Sequence, residues 1–177
     1  MIAALSVAIS LPAYAAEVKI GVINMHRALN DTDEGKRASE KLNAKLNAEG
    51  KNLKVKFDEV KKMEDDLNQQ GYMLSEAARA EKQEKLKRAA RDFEKLRDDK
   101  QKEFIAESKE STERILRKLM DIVRDYAKAE GYVAIFDSSA PAQALTGGVV
   151  WADPKADITG KVIDLYNASG AKAPDKQ

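Results

Sequence analysis

DEGKRASEKLNAKLNAEGKNLKVKFDEVKKMEDDLNQQ, Asp33 to Gln70, contains no proline and only two glycines, Gly35 and Gly50. Leu46, Leu53, Val60 and Leu67 recur every seven residues, and Leu42, Phe57 and Met63 fall three or four residues from them. Almost everything between is charged, Asn, Gln or Ala. A narrow apolar seam on a solvated stretch predicts a long helix of the coiled-coil type. Asp31, Thr32 and Asp33 offer N-caps at its start.

The pattern breaks at Gln69-Gln70-Gly71-Tyr72-Met73. Gly71 can supply a left-handed residue that ends a helix, and Ser75 can cap a new one. From Ser75 to Glu130 neither glycine nor proline appears. Leu86, Ala89, Phe93 and Leu96 step by three or four, and Ile115, Leu119, Ile122 and Tyr126 resume the stripe. Two long helices around a short break predict an antiparallel hairpin whose shorter arm reaches about 55 Å, at about 1.5 Å per residue.

The two helices are unequal. With the turn near Tyr72, Asp33 is expected opposite Ser111, so that 112–130 runs past the first helix. That stretch carries Ile115, Leu116, Leu119, Met120, Ile122, Val123 and Tyr126. So wide an apolar face needs more than one neighbour.

The neighbours come from both ends. Glu17 to Asn24 (EVKIGVIN) is rich in β-branched residues and reads as a strand, with Val18, Ile20 and Val22 on one face. Gly131 ends the long helix, and Tyr132 to Phe136 (YVAIF) reads as a buried strand. Pro141 and Gly147-Gly148 mark loops. Gly148 to Trp151 (GVVW) reads as a further strand, and Ile158 to Asn167 as a short helix. The fold class is therefore α+β, mostly α: a coiled-coil arm over 33–111, with its tip near 70–75, inserted in a small β-containing body made of 16–32 and 112–168. A few short strands do not make a self-sufficient sheet, so the body is expected to close by oligomerising. Ile20, Val22, Val133, Ile135, Phe136 and Val149 are the residues expected at that junction. Residues 169–177 read as a flexible tail.

Residues Met1 to Pro12 are uncharged and mostly apolar, and Ala13-Tyr14-Ala15 follows the small-x-small pattern of a cleavage site. The expectation is an export signal over 1–15, although no basic residue precedes the run. The run is too short to span a bilayer, and the mature chain is expected to be soluble.

Composition narrows the chemistry. The chain's 177 residues hold 31 Lys and Arg against 30 Asp and Glu, which leaves no long-range pull on nucleic acid. There is no cysteine, hence no thiolate nucleophile or Cys-ligated metal, and a single histidine, His26. No triad motif surrounds His26, and a surface or capping role suits it better. Gly147-Gly148 lacks the ending of a phosphate loop, and Glu64-Asp65-Asp66 lacks the spacing of a calcium loop. No enzyme, cofactor or metal is expected.

What remains is binding. Lys51 to Arg91 holds 11 basic and 8 acidic residues, with Lys82, Lys85 and Arg88 near the tip. The excess reads either as a solvated arm or as steering of anionic segments or head groups. Tyr72, Met73 and Leu74 form an apolar cluster that either packs on itself or stays exposed for adaptable contact. With Leu67 these make the client-contact candidates. Arg97 to Glu103 (RDDKQKE) adds nothing apolar to the seam and is expected to face Asn43 to Gly50. Gly50, Arg97 and Lys100 therefore mark a candidate hinge.

Three stretches carry a family resemblance. KIGVINMHRALND (Lys19 to Asp31) resembles the opening strand and helix start of the Skp/OmpH family of periplasmic chaperones. YVAIFDSSA (Tyr132 to Ala140) resembles the strand after its long helices, and ADITGKVIDLYN (Ala156 to Asn167) is similar to its closing helix. The resemblance implies a homotrimer with three hairpins around a cavity. Unfolded outer-membrane proteins would be held there in the periplasm, without ATP. Well-known members are strongly basic; a net charge of +1 implies at most weak contact with lipid or lipopolysaccharide. The other reading of the residues is a structural coiled-coil adaptor or spacer of the cell envelope.

Overall fold

The structure is a computed structural model that describes residues 18–139 and 148–170. The expected export signal, the loop marked by Pro141 and Gly147, and residues 171–177 of the expected tail lie outside the described residues. The elements in order are β1 (Lys19–Ile23), α1 (Met25–Asp31), α2 (Asp33–Gln70), a 3-10 turn (Gly71–Met73), α3 (Glu76–Glu130), β2 (Tyr132–Asp137), a 3-10 turn (Pro154–Ala156) and α4 (Thr159–Ala168). Long helices beside a two-stranded sheet make the fold mostly α, as the periodicity implies. Among the described residues, no helix is long and apolar enough to cross a membrane.

Local chemistry sets the boundaries. Thr32 caps α2: its buried hydroxyl accepts from the Gly35 amide at 3.1 Å and donates to the Leu29 carbonyl at 3.2 Å. A Cβ at Gly35 would fall 1.9 Å from the Leu29 carbonyl oxygen, so only glycine fits where α2 leaves α1. Ser75 caps α3 by accepting from the Ala78 amide. Gly131 ends α3 with φ 73°, the left-handed conformation a helix C-terminus favours in glycine. α1, unforeseen as a separate helix, is capped by Asn24, whose side chain accepts from the Arg27 amide at 2.8 Å.

The strands β1 and β2 pair in parallel, with Ile20 opposite Ala134 and Val22 opposite Phe136. A parallel pair needs a crossover, and the whole helical hairpin serves as one. Beneath it, Ile23, Ala28, Ile115, Leu119, Ile158, Val162 and Tyr166 form the buried core, with Ile122, Val123, Tyr126 and Ile135 packed against it. The wide apolar face of α3 thus docks on α1, α4 and β2, as its breadth requires.

Three expectations need correction. Gly71 has φ −60°, right-handed, because the helix runs into a 3-10 turn rather than ending on a left-handed residue. That turn and the Ser75 cap use up residues 71–75, so the fold-back centre lies beyond Tyr72. Glu34 consequently meets Arg114, and the register is shifted by about one helical turn from the Asp33–Ser111 pairing. Finally, Gly148 to Trp151 forms no strand. It joins neither edge of the two-stranded sheet, and at the β1 edge the Val22 carbonyl instead accepts from the Ile158 amide at 2.9 Å.

Candidate functional site

At the far end of the arm, Tyr72 and Met73 are 79% and 76% exposed, whereas Leu74 and Leu67 are half-buried. The apolar tip therefore does not close on itself. Its basic neighbours are largely spoken for: Lys85 pairs with Glu81 at 2.7 Å, and Arg88 with Glu84 at 3.3 Å, each one turn along α3. Lys82 is exposed.

Below the tip, Phe57 and Phe93 clamp the two helices with ring centroids 5.8 Å apart. The seam is less complete than its heptads suggest. Leu53, Val60 and Leu67 are half-buried, but Leu46, Phe57 and Met63 are exposed. Off the seam, Val55 of α2 and Ile105 of α3 are exposed as well.

Midway down the arm, charges replace the seam. Lys45 binds Glu103 and Glu107, each at 2.7 Å, and Lys100 binds Glu49 at 3.1 Å. The stretches expected to face each other, Asn43 to Gly50 and Arg97 to Glu103, do so. Arg97 itself turns aside and pairs with its neighbour Asp98 at 2.9 Å. Hydrogen bonds from the two lysines hold Glu49, Glu103 and Glu107 below the ordinary carboxylate range, and the carboxylates raise Lys45 and Lys100 in turn.

The arm is rooted on a buried polar cluster that no sequence pattern announces. Glu34, in the first turn of α2, accepts from Tyr166 of α4 at 2.6 Å and from Arg114 of α3 at 2.9 Å. Burial pushes the Glu34 carboxyl up, but the two hydrogen bonds and the guanidinium outweigh it and hold the group below its usual value. Burial and the Glu34 carboxylate push the Tyr166 hydroxyl well above its ordinary range. The ammonium of Lys118 lies 4.7 Å from the centre of the Tyr166 ring. An acidic residue at a helix start was the one available signal, and it says nothing about partners so far away in sequence.

On the body, the six junction candidates divide. Val22 is buried and Ile135 is half-buried against the core within a single chain, contrary to the expectation that the strands are too few to cover them. Ile135 faces the core on the side that α3 covers, and Val22 is flanked by Phe136 of β2 on one side and by the Asp157–Ile158 backbone on the other. Val149 is half-buried. Ile20, Val133 and Phe136 remain 49%, 73% and 52% exposed, beside Val18, Val150 and Trp151. One chain therefore leaves apolar surface on its strands and at Val150 and Trp151. Among the described residues, no group of three or more acidic or histidine side chains is gathered in a way that could hold a metal.

Comparison with known proteins agrees with this architecture. A protein of Pseudomonas aeruginosa PAO1 named "Skp-like protein" is 27% identical over 156 residues, covering 88% of both chains. A crystal structure from Caulobacter crescentus CB15, of a candidate outer membrane chaperone (OmpH-like), superposes with a TM-score of 0.72 at 18% identity, covering 87% of this chain and 86% of that one. At that identity the superposition speaks for the fold alone. The family described as outer membrane protein (OmpH-like) matches residues 19–166, from the first residue of β1 to the buried tyrosine of α4, and the chain belongs to that family.

Proposed function

We propose that this protein is a holding chaperone of the periplasm. Its arms keep unfolded outer-membrane proteins from aggregating, without ATP. The observation that carries the reading is where the apolar side chains lie. The buried core sits at the root, while Leu46, Phe57, Met63, Tyr72 and Met73 stay exposed along the arm. Such a surface suits many weak contacts with a chain that itself exposes alternating apolar residues. Membership of the OmpH-like family supports a chaperone role. The names of the Pseudomonas and Caulobacter relatives point the same way.

The working unit in this reading is a homotrimer. Its copies meet through Ile20, Val133, Phe136 and the 148–151 segment, which a single chain leaves uncovered. Three arms then enclose a client. Leu67, Tyr72, Met73, Leu74, Lys82, Lys85 and Arg88 contribute from the tip, and lipid or lipopolysaccharide contact there is weak because Lys85 and Arg88 already have acidic partners.

The test is light scattering during dilution of a urea-unfolded barrel protein. Full-length protein should suppress aggregation, and an arm shortened by matched segments on either side of the tip should not. Equal protection by the shortened form would remove the arm from the mechanism. Failure with every unfolded client would favour an adaptor that binds one folded partner.

A further inference from the structure

Lys41, Glu107, Lys45, Glu103, Lys100 and Glu49 form one unbroken chain of alternating charge that crosses back and forth between α2 and α3. The links are Lys41–Glu107 at 3.4 Å, Glu107–Lys45 and Lys45–Glu103 at 2.7 Å, Glu103–Lys100 at 3.1 Å and Lys100–Glu49 at 3.1 Å. Four of these five links join the two helices.

The ladder occupies positions that a coiled coil gives to apolar residues. The side chains of Lys45, Glu49, Lys100 and Glu107 are only 24–31% exposed, whereas the adjacent Leu46 and Ile105 are 42% and 60% exposed. Charges face inward here while Leu46 and Ile105 face out, and the centre of the half-buried Phe104 ring lies 5.7 Å from the Lys45 ammonium. The aromatic clamp Phe57–Phe93 closes the arm on the tip side, and the core around Ile115 and Leu119 closes it on the root side. Gly50, a weak helix former, sits beside Glu49 with nothing near the position a Cβ would take.

These facts give the middle of the arm a different driving force from its ends. Apolar contacts are insensitive to moderate salt or slightly strengthened by it. With Lys41 78% and Glu103 45% exposed, the ladder stays within reach of counter-ions, and ion pairs open to solvent weaken as the screening length falls from about 10 Å at 0.1 M salt to about 3 Å at 1 M. Among Lys41, Lys45 and Glu49 on α2 and Lys100, Glu103 and Glu107 on α3, the two signs are equal in number. Screening therefore removes attraction without relieving any net repulsion.

We infer that the ionic ladder between Lys41 and Glu107 is a salt-sensitive joint, at which the two helices of the arm separate while the aromatic clamp and the root stay closed. The joint follows from the arm's own contacts and rests on no reading of what the arm holds. Because the ladder lies between two closed segments, its opening lets the outer arm bend as a unit.

Hydrogen exchange on the full-length protein tests this in about 20 mM and about 0.5 M sodium chloride, a range over which screening changes several-fold. Exchange in 41–50 and 100–107 should rise about fivefold or more with salt, while the amides around Phe57, Phe93 and Leu119 stay within about twofold. The double variant Lys45→Leu/Glu103→Leu rebuilds an apolar seam and should lose the salt response. Lys45→Met removes the central cation and should show fast exchange there already at low salt. Lys54→Met, which removes an exposed pair with Asp58 outside the ladder, should behave as wild type. A salt response spread evenly over the arm, no response at 41–50 and 100–107, or a response that persists in Lys45→Leu/Glu103→Leu would overturn the inference. The exchange readout involves no client, so failure of the joint and failure of the chaperone reading are told apart.

Discussion

The hydroxyl of Tyr166 lies 2.6 Å from a carboxylate oxygen of Glu34, and 132 positions of sequence separate the two residues. Arg114 donates to the other oxygen of the same carboxylate at 2.9 Å. One buried acid thus ties the start of α2 to α3 and to the closing helix α4, at the point from which the arm extends. No buried side-chain polar atom among the described residues lacks a partner, so the cluster is satisfied.

Removing one donor from this cluster should be costly. Tyr166→Phe keeps the ring and its packing but leaves the Glu34 carboxylate one hydrogen bond short in a buried place. The expected loss is about 1–3 kcal/mol, read as a lower urea midpoint with unchanged slope. A variant as stable as wild type would show that water reaches Glu34 and replaces the tyrosine.

The same cluster sets a pH dependence. The folded protein holds Glu34 below its ordinary value of 4.5, so its contribution is fully present above pH 4.5 and is lost as pH falls through the lower folded value. Tyr166 is shifted upward from 10, so its contribution is present below pH 10 and is lost as pH rises beyond that. Urea midpoints measured at pH 3, 7 and 11 should be highest at 7. The Glu34→Gln variant should lose part of the difference between pH 3 and 7; an unchanged difference would assign acid sensitivity to other carboxylates.

Two glycines on α2 should respond oppositely to the same substitution. Gly50→Ala meets no atom within 4 Å and should stabilise the helix by about 1 kcal/mol while slowing exchange near the candidate hinge. Gly35→Ala would drive its methyl into the Leu29 carbonyl and should destabilise by about 1–3 kcal/mol. Thermal melts of the two variants that shift the same way would contradict the geometry at the root.

Val133 offers a test of assembly that spares the single chain. It is 73% exposed on one copy, so Val133→Glu should leave the core around Leu119 intact. If copies meet across the strands, the charge has to be buried without a partner, and sedimentation at micromolar concentration should show a shift towards smaller species. Leu119→Ala is the contrasting change: about 2–5 kcal/mol of stability should go whatever the oligomeric state. A Val133→Glu protein that sediments as wild type would place the subunit junction elsewhere.

Contacts spread over the arm should make single tip substitutions mild. Met73→Ser removes one exposed apolar group and should cost less than about 1 kcal/mol of client holding. A loss of holding as large as that caused by arm shortening would identify Met73 as a dominant anchor.

The arm was legible because its information is local. The seven-residue spacing of Leu46, Leu53, Val60 and Leu67, the serine at 75 and the glycine at 131 act within a few residues of themselves, and the helices end where those residues imply. The opening and closing segments were legible through the same local chemistry, β-branched runs and short caps. Tertiary structure alone decided which neighbours those segments acquire. Hairpin register depends on how many residues the turn at 71–75 consumes, which moved Glu34 by about one helical turn from the expected Asp33–Ser111 register to the level of Arg114. GVVW has the composition of a strand, but a strand exists only where a partner edge is joined, and it is the Asp157–Ile158 backbone that meets β1 at Val22. Glu34 and Tyr166 look like an ordinary surface acid and a helix aromatic until α2, α3 and α4 converge. Burial is set by distant chain segments, and no spacing along the sequence encodes it.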